Sequence, residues 1–165
     1  IYIGFGSMSV RNPKELTETV VKAVMATGTR AIFATGWGGL IAEELSPSVF
    51  PVKSIPHDWL FPRVAAVVHH GGAGTTAAGL KYGKPSIIVP FFVDQPFWAE
   101  RVYALGAGPK PIARKKLTAT KLAAAIREAL GDTDIRRKSE KIGQAIREED
   151  GVTRAAEIVE KTCSL

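Results

Sequence analysis

The sequence contains one cysteine and no long apolar segment. Cys163 has no second cysteine with which to form an internal disulfide, so a reducing compartment is expected. The longest apolar run, residues 87–93, includes Pro90 and is far too short to span a membrane. No leader peptide pattern is visible. We therefore expect a cytoplasmic protein and leave peripheral contact with a membrane open.

The residues that are present fit one globular domain, residues 1–165. This length allows a full hydrophobic core, and 45 % of the residues are apolar. The net charge is +6, with Lys and Arg concentrated after residue 110 and mixed with Glu. Nucleic acid or an anionic membrane could attract such a chain, but mixed charges favour a solvated helical surface. An apolar strand begins at the first residue, so we expect a longer protein to continue upstream.

Short apolar runs alternate with segments of helical periodicity. Asn12, Pro13 and Glu15 are typical of a helix start, and Gly28 is typical of a helix end. The predicted strands are residues 1–5, 30–34, 50–54, 65–69 and 86–90, with a short sixth strand at 109–112. The predicted helices are residues 13–27, 75–82, 96–105, 118–130, 133–149 and 152–162. This order predicts an α/β fold, a doubly wound, Rossmann-like parallel sheet with helices on both faces.

In such a sheet, ligands bind beyond the C-terminal ends of the strands. The turn after the fourth strand carries the strongest signal there, because its glycines expose backbone N–H groups where a helix begins and phosphate binds well. Its residues of interest are His70, Gly71, Gly72, Gly74, Thr75 and Thr76. From these residues alone, a phosphate site and a merely tight turn capped by threonines remain equally open.

Four other residues or pairs follow predicted strands. Ser7 could face a phosphate, although its turn lacks the third glycine of a dinucleotide fingerprint. The backbone of Ile55, before Pro56, could read a pyrimidine edge. Trp37 could stack on a ligand or pin its loop to the core. Asp94 and Gln95 could bind sugar hydroxyls, but their place before Pro96 also suits a helix cap.

Five segments follow one another along the chain: YIGFGSM at 2–8, GWGGL at 36–40, IPHDWLF at 55–61, HHGGAGTT at 69–76 and PFFVDQPFW at 90–98. Together they resemble the donor-binding signature of family 1 glycosyltransferases, and most of all that of the sterol 3-β-glucosyltransferase branch. The resemblance implies that the chain is the C-terminal, nucleotide-sugar-binding half of a GT-B architecture. An acceptor-binding domain is then expected upstream.

The resemblance also implies roles for single residues. Ser7 would lie near the donor β-phosphate, the Ile55 backbone would read uracil, and His70 would contact the diphosphate. The positions that would cradle phosphate are Gly72, Gly74, Thr75 and Thr76. Asp94 and Gln95 would hold the hexose hydroxyls.

Two positions depart from the plant members of the family. Ser54 stands where they have a uracil-stacking tryptophan, and Ala78 where they have a ribose-binding glutamate. The base platform and the ribose contact must therefore come from other residues, with Trp37 a candidate for the first.

The implied reaction is an inverting transfer of a hexose, from UDP-glucose, to a sterol or another hydrophobic acceptor, without a metal ion or cofactor. No side chain is a convincing general base, so no catalytic residue is assigned and the isolated domain is expected to be inactive. We expect no nucleic-acid partner. Two other hypotheses stay open, a non-catalytic nucleotide- or phosphate-binding module and a domain similar to sugar-nucleotide epimerases.

Overall fold

The computed structural model describes residues 1–8, 12–36 and 46–163. Its strands are β1 (Tyr2–Gly4), β2 (Ala31–Ala34), β3 (Val49–Val52), β4 (Val67–His69) and β5 (Ser86–Ile88). Its helices are α1 (Pro13–Thr27), α2 (His57–Leu60), α3 (Ala73–Lys81), α4 (Gln95–Ala104), α5 (Ala119–Gly131), α6 (Thr133–Glu148) and α7 (Gly151–Cys163). Short 3-10 turns occur at Phe61–Arg63 and Arg114–Lys116.

The five strands form one parallel sheet in the order β3-β2-β1-β4-β5. The chain builds outward from β1 to β3 and then returns to place β4 on the other side of β1. Gly4, the last residue of β1, pairs with Ala34 of β2 and His69 of β4, which are also the last residues of their strands. Since three strands end level at this switch point, the turns that follow them meet there, where doubly wound sheets bind ligands.

Neighbouring residues of each strand point to opposite faces of the sheet, and both faces are covered. On one face, Ile3 and Val68 pack in one cluster with buried residues of α1 and α5. On the other face, Tyr2 and Val67 pack with the segment around α2, and Ile88 packs with α4. The predicted doubly wound sheet with helices on both faces is confirmed.

Local signals for α1 are realised as expected. Asn12 accepts a hydrogen bond from the backbone N–H of Glu15 at 3.2 Å, and Pro13 occupies the first turn. Gly28 ends the helix with a left-handed φ of 66°, and its N–H donates to the carbonyl of Met25. Such capping supplies partners for backbone groups that the helix itself leaves unpaired.

The predicted sixth strand at residues 109–112 is wrong. Ile112 donates one backbone hydrogen bond to the carbonyl of Ile88, and Arg114 one to that of Pro90, so the segment runs beside β5 without a ladder. Pro109 and Pro111 have no backbone N–H to donate, and this interrupts pairing. The short helix α2 was not predicted, because Ile55-Pro56 was interpreted as the start of an extended turn.

Across the described ranges, no helix combines the length and the apolar character that crossing a membrane requires. The last helix, α7, is exposed along its whole length.

Candidate functional site

Three turns meet at the switch point, and glycine allows them to approach. Gly6, after β1, and Gly36, after β2, both have positive φ, at 59° and 58°. A Cβ on Gly36 would lie 2.5 Å from the carbonyl oxygen of Gly6, and a Cβ on Gly6 would lie 3.0 Å from Cε1 of His70. The backbone of the β1 turn is therefore held between the β2 turn and the imidazole of His70.

No side chain of the described residues caps the N-terminus of α3 with a hydrogen bond. Its N-cap is Gly72, no side chain accepts a hydrogen bond there, and the first turn contains no acidic residue. Helices α1, α5 and α6 differ, since Asn12, Thr118 and Asp132 respectively accept backbone hydrogen bonds at their starts. The first N–H groups of α3 thus remain available to an anion, which the helix dipole also favours.

The space above this helix start is open. Gly74 is exposed, and a Cβ built on it would meet no atom within 4 Å. Thr75 is half-buried, whereas Thr76 is buried and donates both its hydroxyl, at 2.9 Å, and its backbone N–H to the carbonyl of Gly72. Of the two threonines singled out in the sequence, Thr75 is the one whose hydroxyl the helix does not occupy in this way.

His70 lies against the start of α3. A Cβ on Gly72 would be 2.5 Å from Nε2 of His70, so the imidazole takes the space that a side chain would need. His70 is 9 % exposed, and its Nδ1 is buried without a hydrogen-bond partner in the described structure. Burial lowers its pKa, and the nearby charge of Asp94 opposes that shift. A mostly buried imidazole with hydrogen-bonding capacity left over can bind a ligand oxygen.

The preceding residue, His69, has a different role. It is fully buried, its Nδ1 accepts a hydrogen bond from the N–H of Gly71 at 3.1 Å, and its Nε2 has no partner among the described residues. Burial, followed by the nearby His70 and His57, lowers the pKa of His69 to about 3. His69 is therefore neutral at physiological pH, and its observed contact shapes the glycine turn.

A cavity of about 240 Å³ opens beside the same turns, at the ends of β1, β2 and β3. Its lining is shared by predicted site residues and by others: Tyr2, Gly6, Ser7, Ala34, Gly36, Lys53, Ser54, Ile55 and His57. The structure thus brings together Ser7 and Ile55, which are 48 positions apart in the sequence. Because Gly6 both lines this cavity and contacts His70, the cavity adjoins the start of α3.

Tyr2 and His57 were missed by the sequence analysis. The Tyr2 ring lies along β1 over Gly4, where a Cβ would clash with its hydroxyl oxygen. His57 stacks on Phe61 with ring centroids 4.3 Å apart, and Tyr2 meets His57 edge-on at 5.6 Å. Burial raises the pKa of Tyr2 to about 12 and lowers that of His57. In the sequence, the position of His57 two residues after Ile55 could have indicated that it lies at the site. Nothing comparable marked Tyr2, because a tyrosine inside a strand is common.

Trp37, the candidate base platform, lies outside the described residues. Ser54 is exposed at the cavity, and Ala78 packs against the buried cluster of Tyr2, Leu60 and Val67. In the described ranges, no three His, Cys, Asp or Glu side chains come close enough together to hold a metal ion.

The two candidate residues after β5, Asp94 and Gln95, lie in different environments, one exposed and one buried. Gln95 is 4 % exposed, and its Oε1 accepts from the backbone N–H groups of Phe91, at 2.8 Å, and Phe92, at 3.3 Å. Its Nε2 donates to Sδ of Met8 at 3.2 Å. Gln95 therefore stabilises the turn after β5 by hydrogen bonds within that turn, and connects it to the turn after β1 through Met8.

Asp94 is exposed, and its carboxylate accepts a hydrogen bond from Nε1 of Trp98 at 3.0 Å. Asp94 occupies the N-cap position of α4, as its place before Pro96 suggested, but its side chain accepts no capping hydrogen bond there. Before it, Val93 has a φ of 59°, a strained value for a β-branched residue. The strained turn holds the Asp94 carboxylate in solvent near His70.

Comparison with known proteins identifies what this arrangement resembles. Residues 38–165 match the family model described as erythromycin biosynthesis protein CIII-like, C-terminal domain. A sterol 3-beta-glucosyltransferase of Arabidopsis thaliana is 51 % identical over 156 residues, which cover 94 % of this chain and 24 % of that protein. A second one from the same plant is 45 % identical over 95 % of this chain and 26 % of the relative. One from Candida albicans is 46 % identical over 96 % of this chain and 11 % of its own length.

Solved structures show the same fold. The glycotransferase of kitacinnamycin superposes with a TM-score of 0.85 at 27 % identity, over 97 % of this chain and 42 % of that one. The calicheamicin glycosyltransferase CalG4 gives a TM-score of 0.85 at 25 % identity, with the same coverage. The chain spans between 11 % and 26 % of the curated relatives named above, and 42 % of these two structures. The resemblance inferred from the five motifs is confirmed.

Proposed function

Since this chain belongs to the family of erythromycin biosynthesis protein CIII-like C-terminal domains, within the family 1 glycosyltransferases, we propose that it is the donor-binding domain of a UDP-glucosyltransferase. The acceptor would be a sterol or another hydrophobic alcohol. The observation that carries the donor assignment is the uncovered N-terminus of α3 beside His70, next to a cavity lined by Ser7 and Ile55. The acceptor class follows from the names of the relatives.

The diphosphate would lie at the start of α3. The free N–H groups there, the Thr75 hydroxyl and the His70 imidazole offer donors from two sides, and the helix dipole adds a partial positive charge. The nucleoside would occupy the adjoining cavity, with the backbone of Ile55 at its wall and Tyr2 and His57 in its lining. Ser7 would face the phosphate from the β1 turn.

The hexose would lie toward the β5 turn. Asp94 is the residue whose carboxylate is exposed there, and carboxylates form strong hydrogen bonds with sugar hydroxyls. Gln95 has its amide oxygen occupied by the turn, so we propose that it positions Asp94, with one amide hydrogen left for the sugar.

The chemistry that these residues support is stabilisation of a leaving group. When an acceptor hydroxyl displaces UDP with inversion at the anomeric carbon, negative charge grows on the β-phosphate. Donors that are already fixed at the diphosphate stabilise that charge more in the transition state than in the ground state. In this proposal the α3 N-terminus supplies the positive potential and His70 a hydrogen-bond donor, without a metal ion. The general base and acceptor pocket would belong to another part of a cytoplasmic protein.

Calorimetry of the chain with UDP, UDP-glucose and NAD tests the donor assignment. We expect both uridine ligands to bind and NAD to bind more weakly. His70→Ala should weaken both uridine ligands at least tenfold, since a hydrogen bond to a charged group contributes about 1.5–3 kcal/mol. Thr75→Ala should weaken them by a smaller factor.

Thr120→Ala is the matched control, because it makes the same change in the first turn of α5, whose N-terminus is capped by Thr118. It should leave both affinities unchanged. NAD binding as tight as that of UDP, or no loss in His70→Ala, would overturn the assignment. With UDP-glucose and a sterol the chain alone should form no product, and transfer by it would contradict the placement of the base elsewhere.

A further inference from the structure

The net positive charge of this chain comes from one segment. Residues 101–127 contain seven Lys and Arg and no Asp or Glu. Outside this segment the chain has 15 basic and 16 acidic residues, so the net charge of +6 arises here. The mixture of basic and acidic residues noted after residue 110 is found in α6 and α7, and not in this segment.

Five of these cations lie along two adjoining surface grooves, of about 380 and 290 Å³, which share Lys116. We call this region the basic surface: Lys110, Arg114, Lys115, Lys116 and Lys121. All except Arg114 are exposed. Each groove has one acidic residue in its lining, Glu100 in the larger and Glu128 in the smaller.

No described residue forms an ion pair with these cations. The ion pairs found among the described residues involve Lys22, Arg137 and Arg147, and none involves the basic surface. Arg114 holds its guanidinium 5.9 Å from the ring of Phe91, and its Nε is buried without a hydrogen-bond partner in the described structure. On α6, by contrast, Asp134 and Glu140 pair with neighbouring arginines.

Apolar groups accompany the charge. The larger groove is lined by Pro90, Phe91, Pro96 and Pro111 as well as by cations. Phe92 and Phe97, which follow two of these residues in the chain, are 54 % and 59 % exposed. Clustered cations beside exposed aromatic rings fit the interface of an anionic bilayer, whose headgroups attract the charges while the rings enter the headgroup region.

We propose that the basic surface docks the protein on a membrane that contains anionic lipids. The proposal rests on the proposed function for its purpose, because a lipid acceptor would have to be taken from a bilayer. Pro90 and Phe91 lie two and three residues after the end of β5, so docking here would hold the C-terminal edge of the sheet, where the donor site lies, close to the membrane surface. Docking itself requires no nucleotide and can be measured separately.

Co-sedimentation of the chain with vesicles tests docking. We expect binding to phosphatidylcholine vesicles that contain about 30 mol % phosphatidylserine, and little binding to vesicles of phosphatidylcholine alone. High salt should abolish the binding, because it screens the charges. The double variant Lys115→Glu/Lys116→Glu should bind at least about 25-fold more weakly, since each cation near an anionic surface contributes about fivefold.

Arg154→Glu/Lys161→Glu is the matched control. It makes the same change in net charge on α7, which is also exposed and amphipathic, and it should retain binding. Equal losses in the two double variants would show that net charge alone drives binding, and a larger loss in the α7 variant would assign docking to α7. Either result would overturn the proposal, as would tighter binding to a short RNA than to the vesicles at the same salt concentration.

Calorimetry with UDP on the same variants separates this proposal from the proposed function. Neither double variant alters the donor site, so UDP affinity should stay unchanged in both. If the unmodified chain binds UDP but does not bind vesicles, the docking proposal is rejected and the donor site is kept. Vesicle binding without UDP binding would reject the donor site and keep the docking surface.

Discussion

The turns after β4 and β5 both lead from a strand end into a helix whose start no side chain caps, yet they use their polar groups differently. After β4, His70 and the first N–H groups of α3 have hydrogen-bonding capacity that no described residue uses. After β5, the side-chain amide of Gln95 forms hydrogen bonds with Phe91, Phe92 and Met8. The first turn keeps donors and acceptors free for a ligand in the proposed function, and the second holds one carboxylate, Asp94, in place.

This difference teaches that a polar residue at a strand end is not by its position a ligand contact. Buried donors and acceptors cost free energy when they lack partners, so a turn that leaves them unpaired is stable only because other packing offsets that cost. The β4 turn does so beside open space, whereas the buried amide of Gln95 is satisfied by its own turn. The comparison predicts that substitutions in the two turns will separate stability from binding.

The largest effect is expected from pH, because the β4 turn buries a neutral histidine. The pKa of His69 is about 3 in the folded protein and about 6.5 in an unfolded chain, so below pH 6.5 the unfolded state binds the extra proton. The free energy of unfolding should therefore fall with pH by about 1.4 kcal/mol per unit, and by about 3 kcal/mol between pH 7 and pH 4. Urea unfolding at several pH values measures this loss.

His69→Asn is the comparison variant, since its amide oxygen can accept from Gly71 as Nδ1 does and its side chain does not titrate. Its stability should depend less steeply on pH than that of the wild type over this window. Parallel pH profiles for the two proteins would show that another group controls the acid sensitivity.

The next effect tests how closely the two turns pack. Gly71 has a φ of 92°, and a Cβ there would lie 2.7 Å from Cγ2 of Ile88 and 3.2 Å from the carbonyl oxygen of Gln95. Gly71→Ala should lower the free energy of unfolding by about 2.5 kcal/mol, through backbone strain and overpacking. Gly28→Ala has a similar positive φ but open space around it, and it should cost about 1 kcal/mol. Equal losses in urea unfolding would mean that the turns can move apart.

The smallest effect separates Gln95 from Asp94. Gln95→Ala leaves the N–H groups of Phe91 and Phe92 without their acceptor and should lower the free energy of unfolding by about 2 kcal/mol. Asp94→Ala, at an exposed position, should change it by less than about 0.5 kcal/mol. In calorimetry, Asp94→Ala should weaken UDP-glucose about tenfold, the loss of one charge-assisted hydrogen bond, and leave UDP unchanged. A fully stable Gln95→Ala, or equal losses for both ligands in Asp94→Ala, would remove the distinction between the two residues.

Much of the fold could be predicted because its signals are local. The caps of α1, the continuous apolar runs of the strands and the glycines after β4 each act within a few residues, where backbone sterics and hydrogen bonding decide the outcome. The strand predicted at 109–112 failed because its sequence is Pro-Lys-Pro-Ile, in which the two prolines lack the N–H donors that pairing needs.

By itself, the sequence determined the alternation of strands and helices, the family, and where a candidate site was to be sought, at the strand ends. Only the tertiary structure decided which side chains have capacity left for a ligand. Thr75 and Thr76 are neighbours of the same type, and so are His69 and His70, yet one member of each pair turns inward to a backbone partner and the other lies at the helix start. The physical reason is that a side chain's remaining hydrogen bonds depend on the partners that folding brings to it, and those partners come from other strands and turns.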